Sequence, residues 1–482
     1  MITKKIIGLL PFIAAGAMAQ ESPNIILIMT DDMGWGDVGF NGNTVIKTPH
    51  LDQLASEGMV FDRFYAGCSV SSPTRASVLT GRNPFRTGVF HANTGILRPE
   101  EVTLPELLLQ RGYFTGHFGK WHLGTLTHTE TDANRGRPGQ TSLYTLPSEH
   151  GYMESFVTES KVPTYDPMKQ PISCDGRFWD YVKPSEESVK FATSYWKHNG
   201  EKETENLEGD DSRVIMDRVL PFIHKSKSAN RPFFSVVWFH TPHLPCVAGP
   251  EYAKMYAGYS LEERNYYGCI SAMDEQVGRL VRFLKDEGLY ENTILCFCSD
   301  NGPELRTPGT AGALRGKKRD LYEGGIRVPA FVVWPKQIAA NKRTEHIAST
   351  TDYLPTFVDL LKLPASSNEI DGESLLGFFT RQEERQRPMV FAVPNPHQAA
   401  VIEQRYKLFY KGGKYELYDI QRDPNETKDL SAECPEITKR LAEYLNERLE
   451  SYRQSYEGAE YGRVSRERVH IDWIDIVPVA RR

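Results

Sequence analysis

The sequence predicts an α/β fold: a large, mostly parallel sheet with helices on both faces, then a smaller C-terminal α+β unit with a four-stranded antiparallel sheet and a helix. Three observations carry this. Continuous apolar runs recur and stop at polar residues, as buried strands of a parallel sheet do. Helical patterns alternate with them. Beyond residue 388 the pattern changes to short runs separated by turn residues, closed by an amphipathic helix.

The first run, NIILIM at 24–29, ends in Thr30-Asp31-Asp32. YFTGHF at 113–118 leads into Gly119-Lys120-Trp121-His122. FFSVVWF at 233–239 leads into His240-Thr241-Pro242-His243, and TILCFC at 293–298 into Ser299-Asp300-Asn301. VPAFVVW at 328–334 follows a Glu323-Gly324-Gly325 turn. The clearest helix covers 261–286, with Cys269, Ile270, Met273, Val277, Leu280, Val281 and Leu284 on one stripe. In open α/β sheets ligands bind beyond the carboxyl ends of the strands. The ends at Asp31-Asp32, His240 to His243 and Asp300-Asn301 carry metal-binding or acid–base residue types.

Residues 124–208 are rich in Thr, Gly and Ser with weak periodicity, and read as a long insertion near the site rather than a domain. The stretch 365–388, with its RQEERQR run, reads as a solvated linker. Runs at 389–393, 399–403, 405–410 and 414–419 and a helix at about 435–453 make the second unit. The expected division is 20–375 for the main unit and 376–482 for the C-terminal one. The tail RVSRERVHIDWID (463–475) reads as a surface strand with solvated arginines.

The chain has 482 residues, 40% hydrophobic and 25% charged, which excludes disordered, collagen-like and polytopic membrane classes. Residues 1–19 combine Lys4 and Lys5, an apolar stretch and Ala17-Met18-Ala19, the pattern of a Sec-type signal peptide, which implies export and fits a periplasm. Its removal takes away two lysines and turns the net charge of −6 into −8. An acidic chain argues against non-specific nucleic-acid binding. The 7 cysteines have neither zinc-pair spacing nor a compact disulfide pattern, and Cys296 and Cys298 fall on one side of a strand as core residues.

Ser71-Ser72-Pro73-Thr74-Arg75 has a bland reading, a turn in which Pro73 opens a helix. Its sharper reading places Ser71 at a buried helix N-terminus, where backbone N–H groups favour an anion and Arg75 clamps the same anion one turn on. Asp31, Asp32, Asp300 and Asn301 offer only oxygen, which selects a hard cation, Ca²⁺ or Mg²⁺. Either pair alone is equally a turn or cap pair. Lys120 and His122, held between glycines at a strand end, suit anion binding and proton transfer.

Ser71 to Arg75, continued by Leu79-Thr80-Gly81-Arg82, resembles the formylglycine motif of the sulfatase family, and the resemblance extends from Asn24 to the Glu-Leu-Tyr-Asp stretch at 416–419. It implies an alkaline phosphatase-like fold and a formylglycine (3-oxoalanine) made from Ser71 by a sulfatase-maturing enzyme. Thr74 replaces the commoner Ser. Cys68 lacks Pro and Arg at the required offsets. A Ser at this position implies the radical maturase of anaerobes; an exchanged Cys would leave the same letter.

The resemblance further implies one Ca²⁺ site, with Mg²⁺ the lesser alternative, formed by Asp31, Asp32, Asp300, Asn301 and the group made from Ser71. It assigns Ser71, Arg75, His122 and His243 to catalysis, and Lys120 and Lys318 to sulfate binding. Lys317 is the neighbouring register for the second lysine. His240 and His91 are assigned to substrate contact, with Asn93, His397 and the 124–208 insertion as further selectivity candidates. The implied reaction is hydrolysis of a sulfate monoester, most simply exo-acting removal of O-sulfate from a sulfated carbohydrate. A phosphomonoesterase or phosphodiesterase with unmodified Ser71 would need a two-metal site with extra His and Asp. A non-catalytic sulfated-glycan binding protein would leave Ser71 unmatured.

Overall fold

The computed structural model describes residues 22–173, 179–180, 189–364, 366–394 and 397–461; the signal-like stretch 1–19, Cys174 and the tail 463–475 lie outside the described residues. Nine strands form the main sheet. They are β1 (Asn24–Thr30), β2 (Met59–Phe61), β3 (Phe114–Lys120), β4 (Glu154–Thr158), β5 (Tyr195–Lys197), β6 (Phe233–Trp238), β7 (Thr293–Ser299), β8 (Ala330–Val333) and β9 (Lys342–Thr344). Across the sheet the order is β5-β4-β3-β6-β1-β7-β8-β2-β9. From β4 to β7 all pairs are parallel.

The main helices are α1 (Pro49–Ser56), α2 (Ser71–Thr80), α3 (Asp211–Ser228), α4 (Leu261–Asp286) and α5 (Tyr353–Leu361). β1 shows why its sequence is apolar at every position. Ile26 and Ile28 pack with residues of α1, α3 and α4, while Ile25, Leu27 and Met29 pack with residues of α2 and α5 on the opposite face. A strand covered on both sides has no polar face to display. α4 starts at Ser260, whose side chain accepts from Glu263 N while Glu263 returns to the Ser260 N–H. Its Cys269, Ile270, Met273, Val277, Leu280 and Leu284 are fully buried.

Two sequence expectations change here. The 124–208 segment is no mere loop: β4 and β5 extend the main sheet, β5 antiparallel to β4. They are short and lie at the sheet edge, so they leave little periodicity. The 328–334 run forms β8, antiparallel to β7. The chain between them holds only the short helix Glu323–Ile326, so no crossover carries it back for a parallel pairing.

The presumed solvated linker also departs from expectation. Its helix α6 (Leu376–Arg381) sets Phe378 and Phe379 against Phe61. Arg385 is buried and pairs with Asp352 at 2.7 Å. Beyond it, β10 (Met389–Val393), β11 (Gln398–Glu403), β12 (Tyr406–Lys411) and β13 (Lys414–Asp419) form an antiparallel sheet in sequence order. One face packs on α7 (Pro435–Tyr456) through Val401, Leu408, Leu417, Leu441, Leu445 and Leu449. The other face, with Phe391, Ile402 and Phe409, packs on Tyr65, Leu321, Tyr322 and Ile326 of the main unit. Among the described residues no helix is long and apolar enough to cross a membrane.

Candidate active site

The carboxyl ends of β1, β3, β6 and β7 converge on the N-terminus of α2. Every residue of α2 is buried. Ser71, its first residue, donates from Oγ to Asp31 Oδ1 at 3.0 Å and lies 3.3 Å from Asn301 Oδ1. Arg75, fully buried one turn later, donates to Asp300 Oδ2 at 2.8 Å and sits 5.0 Å over the Trp238 ring. Its other terminal nitrogen donates to the Lys120 carbonyl.

Two lysines close the site. Lys120 Nζ donates to Asp31 Oδ2 at 2.6 Å, and Lys318 Nζ to Asp32 Oδ2 at 2.7 Å. Lys318, not Lys317, is therefore the residue that enters; Lys317 Nζ donates to the Gly309 carbonyl instead. Backbone conformation at the strand exits is unusual. Asp32 and His122 both have left-handed φ, 68° and 58°. For residues with a Cβ that conformation is costly, and it recurs where side chains must be aimed at a site. Gly119, at φ 100°, lets β3 turn; a Cβ there would lie 2.0 Å from the Trp238 carbonyl oxygen.

Electrostatics follow from burial and pairing. Burial acts to raise the Asp31 carboxyl, but Lys120, His243 and Arg75 hold it well below the usual range. Asp32 is likewise lowered against burial, chiefly by Lys318 and His243. Asp300 goes the other way: burial and the Asp31 charge push it up to about 7, against the pull of Arg75. Burial and then Lys120 and Arg135 drive His122 well below its ordinary value, so its ring is neutral. Its Nε2 lies 2.8 Å from Asn93 Oδ1, an acceptor, which assigns the proton to Nε2. Nδ1 is buried and has no hydrogen-bond partner among the described residues. Burial brings His243 down to about 3 despite Asp32 and Asp31; its Nδ1 donates to the Leu244 carbonyl at 2.6 Å and Nε2 lies 3.6 Å from Asp32.

The donor set fits a hard cation. Asp31 Oδ1 and Asn301 Oδ1 converge on Ser71 Oγ, and Asp32, Asp300 and Asn301 are joined by hydrogen bonds. Asp31, Asp32 and His243 place one ligand atom each within 4.8 Å of one another, the one such cluster of His, Cys, Asp or Glu among the described residues. A two-metal arrangement with extra His and Asp ligands has no counterpart there.

Above these groups opens a cavity of about 250 Å³ whose walls include Asp32, Ser71, Lys120, His122, His243 and Lys318. His91 and Asn93 also line it, whereas the exposed His397 does not. Burial lowers the His91 imidazole, and its Nδ1 lies 3.0 Å from the Ala92 carbonyl oxygen. His240 is a correction. Its ring is fully buried, with Nδ1 2.8 Å from Asp211 and Nε2 2.7 Å from Thr158, so both nitrogens are spent tying α3 to β4. In sequence His240 and His243 are equivalent candidates; only the turn decides which one emerges.

Sequence reasoning missed Asn134, Lys161, Glu304, Arg306 and Arg319, which also line the cavity. Asn134 and Lys161 fall in the 124–208 insertion expected to hold selectivity residues, but nothing in their spacing singles them out; Arg319 follows Lys318 and reads in sequence as a solvated loop residue. Arg135 and Glu159, a buried pair at 2.7 Å, brace the wall that carries Asn134.

The family model described as Sulfatase matches residues 23–363, and the model N-sulphoglucosamine sulphohydrolase, C-terminal, matches residues 316–455. The chain is 31% identical to mouse (Mus musculus) N-acetylgalactosamine-6-sulfatase over 83% of its own length and 74% of that protein. It is 31% identical to human (Homo sapiens) arylsulfatase A, over 90% of this chain and 89% of that one. Among solved structures, Ps i-CgsB in complex with k-i-k-neocarrahexaose superposes with a TM-score of 0.76 at 28% identity, covering 88% of this chain and 92% of that one.

Proposed function

From the premise that this chain belongs to the sulfatase family, as a type I sulfatase of the alkaline phosphatase-like superfamily and a sulfuric ester hydrolase, we propose that it removes O-sulfate from a sulfated sugar by exo action, using a formylglycine made from Ser71. The observation that carries this reading is the position of Ser71. Its Oγ lies against Asp31 and Asn301, on the floor of a cavity that Lys120 and Lys318 also line. The exo reading rests on the small size of the cavity, about 250 Å³. Carbohydrate substrates are supported by the sugar-directed names of the mouse relative and of the solved neighbour.

The aldehyde hydrate supplies the nucleophilic oxygen, and a Ca²⁺ held by Asp31, Asp32, Asp300 and Asn301 would neutralise charge on that oxygen and on sulfate. The chain's own residues do the rest. Lys120 and Lys318 exchange their carboxylate partners for sulfate oxygens as charge develops, the electrostatic contribution that preorganised cations make best in a buried site. Arg75 orients the residue-71 oxygen through Asp31 and Asp300. His243 is neutral in the free protein; an arriving sulfate favours its protonated form, and Nε2 delivers that proton to the departing alcohol. His122, neutral with a free Nδ1, or Asp300, accepts the proton released when sulfate leaves.

A sulfatase-maturing enzyme is the implied partner. Residues 1–19 support export to a periplasm, and fractionation followed by N-terminal sequencing tests it. Mass spectrometry of the peptide containing Ser71 tests the central claim: conversion leaves that residue two hydrogens lighter. Unmodified Ser71 in active protein overturns it. A sulfate-release screen over defined sulfated monosaccharides and disaccharides then identifies the sugar.

A further inference from the structure

The floor of the cavity is balanced in charge. Arg75, Lys120 and Lys318 face Asp31, Asp32 and Asp300, three against three, so a bound divalent cation supplies what one sulfate group needs. The rim is not balanced. Lys161, Arg306 and Arg319 line it with a single carboxylate, Glu304. Glu304 is buried and shared: it lies 2.9 Å from Arg319, 3.7 Å from Arg306 and 3.9 Å from Lys318. Lys161 forms no ion pair among the described residues. Burial, then the Lys318 and Arg306 charges, lowers its ammonium, as expected for a cation crowded by others. Arg306 and Arg319 keep 65% and 45% of their side chains exposed, so the guanidinium donors not turned to Glu304 are accessible to a ligand.

Cations held together in a concave, partly desolvated space repel one another, and the arrangement is relieved by an anion. A sugar carrying only the scissile sulfate leaves this rim excess unmatched. Resting on the reading that the cavity is the sulfate-ester site, we propose that Lys161, Arg306 and Arg319 bind a second anionic group of the substrate, so that the preferred sugar carries a second sulfate or a carboxylate beside the sulfate removed. Arginine suits either group, because its fork of donors matches the paired oxygens of both.

The test uses the full chain with Ser71 conversion established and compares kcat/KM within matched sets. Each set contains an O-sulfated hexose or N-acetylhexosamine, its disulfated form, and the same monosulfated residue linked to a hexuronate. At least a tenfold preference for a doubly charged member is expected, and the arm that shows it separates a second sulfate from a carboxylate. K161Q, R306Q and R319Q, singly and together, should cut that ratio at least fivefold, and raised ionic strength should cut it in the unaltered protein. R381Q, an exposed arginine paired with Glu383 outside the cavity, should leave the ratio unchanged. Sulfate released equally from singly and doubly charged members overturns the proposal and leaves the sulfatase reading standing. No release from any member overturns the sulfated-sugar reading beneath it.

Discussion

Lys407 of β12 and Glu323, the residue that follows the Lys318 loop, form an ion pair at 3.1 Å in which both side chains are fully buried. The C-terminal sheet thus reaches the active-site loop with charge as well as with apolar surface. Glu426 Oε2 accepts from the Glu323 N–H, Gln398 Oε1 from the Leu321 N–H, and Tyr322 donates to Glu416.

Lys407 also pairs with buried Glu426 at 2.9 Å, so removing the lysine leaves two buried carboxylates with, among the described residues, only Arg327, 3.6 Å from Glu323, beside them. K407M should therefore cost about 3–5 kcal/mol of stability, read as a lower urea midpoint. K407M/E323Q should recover part of that loss. Because the Lys318 loop is held by these contacts, kcat should fall in K407M as well. A K407M midpoint equal to that of the unaltered protein contradicts this coupling.

Calcium should stabilise the protein. A cation bound only by the folded state adds about 2.7 kcal/mol at a hundred times its dissociation constant. A chelator should lower the thermal midpoint, Ca²⁺ should restore it better than Mg²⁺, and D32N should abolish the shift. An equal response in D32N would remove Asp32 from the ligand set.

His122 should matter to turnover rather than to binding. H122A removes a neutral base whose Nδ1 is unengaged, and positioned acid–base groups contribute about 10²–10⁴ in rate. Steady-state kinetics on a sugar identified by the screen should show kcat falling by that order with KM changed far less. A pure KM effect would assign His122 to substrate contact instead.

Stability should fall above neutral pH. Burial pushes the Asp37 and Asp274 carboxyls up to about 7, although each accepts backbone hydrogen bonds. Their protonation favours the fold fully below the unfolded value of 3.8, and that contribution disappears as pH rises through about 7. Burial lowers His117 and His346 to about 3 and 4, so their contribution grows with pH and is complete above about 6.5. The two sets oppose each other below that point; above it the carboxyls prevail, joined by Asp210, which burial and the Asp211 charge push up to about 8. Denaturation free energy should drop by about 1–2 kcal/mol between about pH 6.5 and 8. A continued rise to pH 8 would mean that both carboxyls are ionised in the fold.

What could be read from the sequence was what burial dictates. β1, β6 and β7 are covered on both faces and so spell themselves as unbroken apolar runs, and their polar exits mark where Asp31, His243 and Asp300 emerge. The helix 261–286 was equally plain, because one face of α4 meets the core and the other meets water. β4 and β5 were not legible: Glu154–Thr158 and Tyr195–Lys197 are short, mixed in polarity and far apart in sequence. Arg385 in its charged run was misread because its partner Asp352 is distant along the chain. The rim cations failed for the same reason. Lys161, Arg306 and Arg319 come from segments that meet only in three dimensions, and each alone is an ordinary surface charge.

Helix α2 has one more consequence. Ser71 is 2% exposed, and Ser72 to Thr80 are buried with it. The finished fold thus offers a second protein no exposed backbone around Ser71. The conversion proposed for Ser71 therefore belongs to the nascent chain, before the sheet closes over it. On that reading, a molecule that folds with Ser71 still a serine keeps its complete fold while the residue to be converted is sealed beneath it.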